Sequence, residues 1–264
     1  MTDPIPLKTD KNAAPGAALQ CRNMIAIASG KGGVGKTWFS ITLSHALAKS
    51  GKNVLLFDGD LGLANVDIQL GLTPDKDLGA VIEGSTALTG AVTHYAEGKF
   101  DILAGRSGSG TLATLATQKL FDLRNDLIAL ARTYDHVMVD LGAGVDRSVR
   151  QLAGPAAITL VVVTDEPTSL TDAYAFIKLG RAANPSADMR IVVNMATNTN
   201  EGMKTYETIK KACETFLRYT PPLAGVIRRD PKVREAIRAQ TPLLVRSPST
   251  EAAADVEAIA KSLT

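Results

Sequence analysis

The 264-residue chain has two cysteines, Cys21 and Cys213, near opposite ends, and three scattered histidines, His45, His94 and His136. That poverty excludes a disulfide framework, a Cys-x-x-Cys redox or cluster motif, and any zinc-like ligand spacing. Long apolar runs are missing too. The longest, Ala156 to Val163, is interrupted by Thr159 and falls far short of the ~18 residues of a membrane span. The start of the chain carries Asp3 and no apolar signal core. The expectation is a reduced, cytoplasmic setting without export. Aromatics are only 5% of residues and net charge only +2, so neither an aromatic-rich β-sandwich nor a globally basic nucleic-acid binder is indicated.

What is present is an ordinary globular balance of 45% apolar and 21% charged residues, rich in Gly, Ala, Val and Leu. Residues 1–22 contain Pro4, Pro6, Pro15 and Gly16 without usable periodicity, and read as a flexible tail before one domain over 23–264. Short β-branched runs follow at Met24–Ser29, Val54–Phe57, Phe100–Leu103, His136–Val139, Ile158–Val163, Ile191–Val193 and Leu223–Ile227. Between most of them lie stretches of helical spacing, such as Phe39, Leu43 and Leu47 before the Gly51 stop, and Leu120 to Ala131. Continuous apolar strands alternating with helices predict a single-domain α/β fold, a mostly parallel twisted sheet of about seven strands covered on both faces. In such sheets ligands bind beyond the carboxyl ends of the strands.

The first strand is followed by Ser29-Gly30-Lys31-Gly32-Gly33-Val34-Gly35-Lys36-Thr37, which satisfies Gly-x4-Gly-Lys-Ser/Thr. Glycines let backbone N–H groups wrap a phosphate. A helix starting near Lys36 adds its positive dipole end, Lys36 supplies a charge to the β- and γ-phosphates, and the Thr37 hydroxyl suits Mg²⁺. The same glycines spell Gly30-x-Gly32-x-x-Gly35, with Asp58 after the second strand, so a nicotinamide-dependent oxidoreductase is the rival. Lys36-Thr37 and the later strand-end acid Asp140 have no use in hydride transfer and favour a nucleoside triphosphate.

The extra lysine makes Lys31-Gly-Gly-Val-Gly-Lys-Thr37 resemble the deviant Walker A motif of the MinD/ParA class of ATPases. Asp58-Gly-Asp60-Leu-Gly-Leu-Ala-Asn65-Val-Asp67, Asp140-Leu-Gly-Ala-Gly144 and Glu166-Pro-Thr-Ser-Leu-Thr-Asp-Ala-Tyr174 resemble its flagellar-number-regulating FlhG/FleN branch. The resemblance implies a Mg²⁺-dependent ATP hydrolase that forms an ATP-dependent homodimer, Lys31 reaching across to the partner's phosphates. It implies that Asp60 orients the attacking water, that Asp58 and Asp140 join Thr37 around Mg²⁺, and that Asn65 and Asp140–Gly144 lie in two switches. It also implies that Asn194 reads adenine, flanked by Arg229 and Asp230, and that the backbone N–H of Trp38 meets the α-phosphate. Trp38 departs from the hydroxyl residue usual at its position, and Arg228 from a proline.

An FlhF-like or other flagellar or polar protein partner follows from the same resemblance, although residues 1–22 lack the Asp-Gln-Ala motif of that branch. A ParA-like DNA-associated role is the alternative within the class. Residues 201–246 carry ten Lys or Arg against five acids, a pattern that fits either nonspecific DNA or a solvated helix face. Ala252, Val256, Ile259 and Leu263 form a stripe near the end of the chain, but Glu251, Asp255 and Glu257 make its polar side acidic. An acidic helix is repelled by an anionic leaflet, so core packing is expected there and a membrane anchor is not.

Overall fold

A computed structural model describes residues 20–105 and 115–264. In chain order the elements are β1 Cys21–Ser29, α1 Lys36–Lys49, β2 Val54–Gly59, α2 Val66–Leu70, α3 Leu78–Ile82, β3 Thr93–Tyr95, β4 Phe100–Leu103 and α4 Thr117–Ala131. There follow β5 His136–Ala143, α5 Arg147–Ala153, β6 Ala156–Val163, α6 Pro167–Ala183, β7 Asp188–Ala196, α7 Thr199–Leu217, β8 Leu223–Arg228, α8 Pro231–Arg238, α9 Leu243–Arg246 and α10 Glu251–Ser262. All seven expected strands are present. The eighth is β3, a three-residue edge strand antiparallel to β4.

The sheet order is β3-β4-β2-β5-β1-β6-β7-β8, and every pairing except β3–β4 is parallel. Side chains alternate between two faces. Met24, Ala26, Leu55, Phe57, Val137, Val139, Val161 and Val163 pack beneath α4 to α7. Ile25, Ile27, Val54, Leu56, Met138, Leu160 and Val162 pack beneath α1, α9 and α10. Burial on both sides is why the strands read as unbroken apolar runs.

Several strands run past the bounds expected from the sequence, β1 and β5 among them. β1 begins at Cys21, inside the stretch read as tail, with the Cys21 amide donating to Pro155 O at 2.7 Å. Polar Arg22 and Asn23 hide this start, but the Asn23 amide donates to Ala131 O at 2.7 Å and Tyr134 O at 2.8 Å, which satisfies it inside the fold. The remainder of the expected tail, 1–19, lies outside the described residues. β5 continues through Asp140 to Ala143, because Asp58 and Gly59 of β2 pair with Asp140 and Leu141.

α10 buries Ala252, Val256 and Ile259 against β8 and α1, as its stripe predicts. Its acids are used within the fold. Glu257 accepts from Lys49 Nζ at 2.8 Å, while Arg228 places Nη2 2.8 Å from Asp255 Oδ1 and Nε 2.9 Å from Asp255 Oδ2, and also reaches Glu251. Within the basic block, Lys204, Lys210 and Lys232 pair with Glu201, Glu207 and Glu235 one turn away, which leaves its surplus of cations in place. Among the described residues, no helix is long and apolar enough to cross a membrane.

Candidate nucleotide site

The central strand β1 lies between β5 and β6, so its carboxyl end opens where the chain's crossovers diverge to the two sides of the sheet. The loop from Gly30 to Gly35 leaves this point and turns directly into α1. Gly35 has φ +88°, and a Cβ on it would meet the Asn194 Nδ2 at 2.5 Å. Gly30 is equally constrained, since a Cβ there would lie 2.2 Å from the Asp172 carbonyl carbon of α6. Glycine is required at both positions by space, and at Gly35 by backbone angle as well.

A cleft of about 770 Å³ gathers Gly32, Gly33, Gly35, Lys36, Thr37, Trp38, Asp60, Asn194, Arg229 and Asp230 from the expected set. Asn65, Gln69, Met195, Arg228 and Arg234 complete much of its wall. Lys36 is buried, and its Nζ donates to Ser29 Oγ at 2.9 Å while that hydroxyl donates to Lys31 O at 2.6 Å. Desolvation lowers the lysine pKa, opposed by the charges of Asp140 and Asp60. A buried cation with so few donors engaged is suited to an anion entering the loop.

Asp58 and Asp140 lie behind this wall, both almost wholly buried. Asp140 accepts from Ser40 Oγ at 2.8 Å and from the Thr37 hydroxyl. Burial raises its pKa to about 6 against the pull of those two donors and Lys36. Asp58 takes the backbone N–H groups of Asp60 at 3.2 Å and of Asn65 and Val66, each at 3.1 Å. It therefore folds the 60–66 loop around itself. Burial, with Asp140 beside it, pushes its carboxyl up to about 8. Two buried acids behind a threonine hydroxyl, whose oxygen keeps lone pairs for a metal, suit a divalent cation.

Asp60 is half-buried at the cleft. It accepts the Leu63 N–H at 3.0 Å, and a Cβ on Gly142 would come within 3.3 Å of its Oδ1. The two expected switch segments thus meet at this carboxylate. Lys31 does not line the cleft with the other loop residues. Its Nζ turns outward to the Glu166 carboxylate and to Thr168 Oγ1 at 3.0 Å, at the start of α6. Asn194 is buried, and its Nδ2 donates to Val34 O at 2.8 Å. Asp230 caps α8 through the Lys232 N–H at 2.8 Å, and the Arg229 N–H donates to Ala196 O at 2.8 Å.

Sequence patterns do not single out Ser29, Ser40, Glu166 or Thr168 as chemical partners. Ser40 could have been found from its position one turn after Lys36 on the helix face that meets β5. A second groove of about 810 Å³ runs between α6 and α7, bordered by the Tyr174 and Phe216 rings with centroids 6.3 Å apart. It contains neither the glycine loop nor its lysines, so the phosphate chemistry belongs to the first cleft.

A parallel sheet with a glycine loop, lysine and threonine at the carboxyl end of its central strand defines a P-loop nucleotide-binding protein. Residues 25–243 match the CobQ/CobB/MinD/ParA nucleotide binding domain, and the chain belongs to that family. It is 37% identical to the antiactivator FleN of Pseudomonas aeruginosa over 91% of this chain and 85% of that protein. It is 32% identical to the flagellum site-determining protein YlxH of Helicobacter pylori over 72% of this chain and 64% of that protein. The fold matches the septum site-determining protein MinD of Pyrococcus horikoshii, solved with Mg-ADP, at a TM-score of 0.77 and 24% identity, covering 92% of this chain and 96% of that one. The chain is thus a MinD/ParA-class protein with a FlhG/FleN-like sequence.

Proposed function

We propose that this protein is a Mg²⁺-dependent ATPase switch whose ATP form is a face-to-face homodimer, and that it regulates the number or placement of flagella from the cytoplasm. The observation that carries the switch reading is the split between the two loop lysines. Lys36 is buried within the loop, whereas Lys31 is turned out to Glu166 at the surface. A lysine facing outward from a phosphate loop is suited to the phosphates of a second copy. The flagellar assignment is carried over from FleN and YlxH.

Phosphoryl transfer asks little covalent work of a protein, so positioning and charge neutralisation carry the catalysis. Lys36 and the loop N–H groups hold the β- and γ-phosphates. Thr37, backed by Asp140 and Asp58, would hold Mg²⁺, which supplies positive charge at the phosphate oxygens. Asp60 orients the attacking water from the meeting point of the two switch segments. Lys31 of the opposing copy adds charge as the transition state forms.

The test is sedimentation with ATP beside a phosphate-release assay. Asp60→Ala should accumulate as dimer, with turnover lowered about 100-fold or more, in the range of a lost general base. Lys31→Ala should stay monomeric with ATP. ATP-dependent dimerisation unchanged in Lys31→Ala removes the cross-subunit role, and persistent turnover in Asp60→Ala removes the assignment of the water. Normal flagellar number and placement in a deletion strain would refute the cellular role while leaving the ATPase intact.

A further inference from the structure

We propose that Asn194 is a positioning residue for the phosphate loop: its amide fixes the peptide plane between Val34 and Gly35. This goes beyond any contact with the base, and it rests on the nucleotide-binding reading of the cleft. Asn194 stands at the end of the apolar run of β7, one strand beyond β6 from the loop. Its side chain is 3% exposed, with Nδ2 2.8 Å from Val34 O, a hydrogen bond across 160 positions of sequence.

The amide is itself held. The Met195 N–H donates to Asn194 Oδ1 at 2.9 Å. Met195 has φ +59°, the left-handed region that a side chain other than glycine seldom adopts. The β7–β8 ladder loses its regular register between Val193 and Ala196, at these two residues. Strained backbone persists where the surroundings over-determine it, and such sites cluster where geometry serves function. Here the departure from strand geometry places the Asn194 Nδ2 against the loop. Opposite it, Gly35 has no Cβ, and one added there would lie 2.5 Å from Nδ2 and 3.3 Å from Met195 Cε. The contact therefore requires asparagine on one side and glycine on the other.

A trans peptide is planar, so its carbonyl and the following N–H point in opposite directions. Holding the Val34 carbonyl sets the direction of the Gly35 N–H. A phosphate loop works through such N–H groups, and their alignment before the anion arrives determines how much of the interaction is realised. The amide has a second N–H and a second carbonyl lone pair beyond these two bonds. One side chain can thus border the nucleotide and brace the loop.

The two roles separate with a ligand that has no base. Tripolyphosphate and ATP are titrated by calorimetry into wild type, Asn194→Ala and Asn194→Asp. Asn194→Asp keeps the side-chain size and the acceptor for Met195 but removes the donor to Val34 and adds a charge that repels both ligands, so the neutral Asn194→Ala carries the affinity comparison. Loss of one hydrogen bond predicts about three- to tenfold weaker binding, and both ligands should weaken together. Weakened ATP binding with unchanged tripolyphosphate binding overturns the proposal and leaves a base contact only.

Hydrogen exchange of the nucleotide-free chain supplies an independent arm. Peptides covering residues 30–37 should exchange faster in both variants, while peptides from the middle of β6 stay as protected as in wild type. Unchanged exchange in 30–37 overturns the brace. If wild type binds neither ligand but exchange responds as expected, the nucleotide reading fails and the brace stands.

Discussion

Replacing Glu166 by glutamine should strengthen ATP-dependent dimerisation. In the structure Lys31 is already engaged within its own chain by Glu166 and Thr168, so reaching a second copy requires that contact to open. The side chains of Lys31 and Glu166 are 39% and 60% exposed, which places them among solvent-screened pairs worth about 0.2–1 kcal/mol each. A symmetric dimer opens two of them, about 0.4–2 kcal/mol in all, or roughly a 2- to 30-fold change in the dimer dissociation constant. Sedimentation equilibrium with a non-hydrolysable ATP analogue measures this directly. The difference from wild type should shrink with added salt, because an exposed pair is screened. In a Lys31→Ala background the effect of Glu166→Gln should vanish, since the competition has lost its lysine. Equal or weaker dimerisation by Glu166→Gln, or an effect that survives in Lys31→Ala, would refute the reasoning.

Two further predictions concern stability. The carboxyl of Asp58, raised to about 8, binds its proton more tightly in the folded chain than in the unfolded one. Its contribution is full below the ordinary carboxylate range and is lost as pH rises through about 8. Asp140 follows the same sign through about 6, while buried His45 and half-buried His136, both lowered, act oppositely. Urea midpoints of the ligand-free protein at pH 5.5 and 8.5 should therefore fall more with pH in wild type than in Asp58→Asn; identical pH dependence would refute the Asp58 contribution. Arg228→Ala leaves partly buried Asp255 without its two-pronged partner and should cost about 1.5–3 kcal/mol in urea denaturation, with Arg228→Lys recovering only part. An unchanged midpoint would show that the bridge does not fasten α10.

Where information was local, the sequence was readable. The loop from Gly30 to Thr37 carries its chemistry in consecutive residues, and α1 ends beside Gly51, whose φ of +87° suits a helix stop. The seven strands are legible because burial on both faces leaves the middles of most of them apolar. β3 is not, because Thr93-His94-Tyr95 is too short to show a pattern and is held by pairing with β4 alone. The site is less legible than the fold for a similar reason. Ser40 meets Asp140 across 100 positions, and Lys31 meets Glu166 across 135. No spacing rule reaches that far. In 201–246 the pairs of Lys204, Lys210 and Lys232 with acids one helical turn away are local and follow from helical spacing, and they leave the surplus of cations there unchanged.

The way α10 is fastened limits how the protein can move. It is bound to α1 through Lys49 and Glu257, and to β8 through Arg228 with Asp255 and Glu251. α1 begins at the phosphate loop, and β8 ends beside Arg229 and Asp230, on the other flank of the cleft. One helix thus ties both flanks of the cleft together. In the proposed switch, the change from three phosphates to two would act on short loops rather than on this frame. The folding of 60–66 around Asp58 and the grip of Glu166 on Lys31 are the parts light enough to answer it.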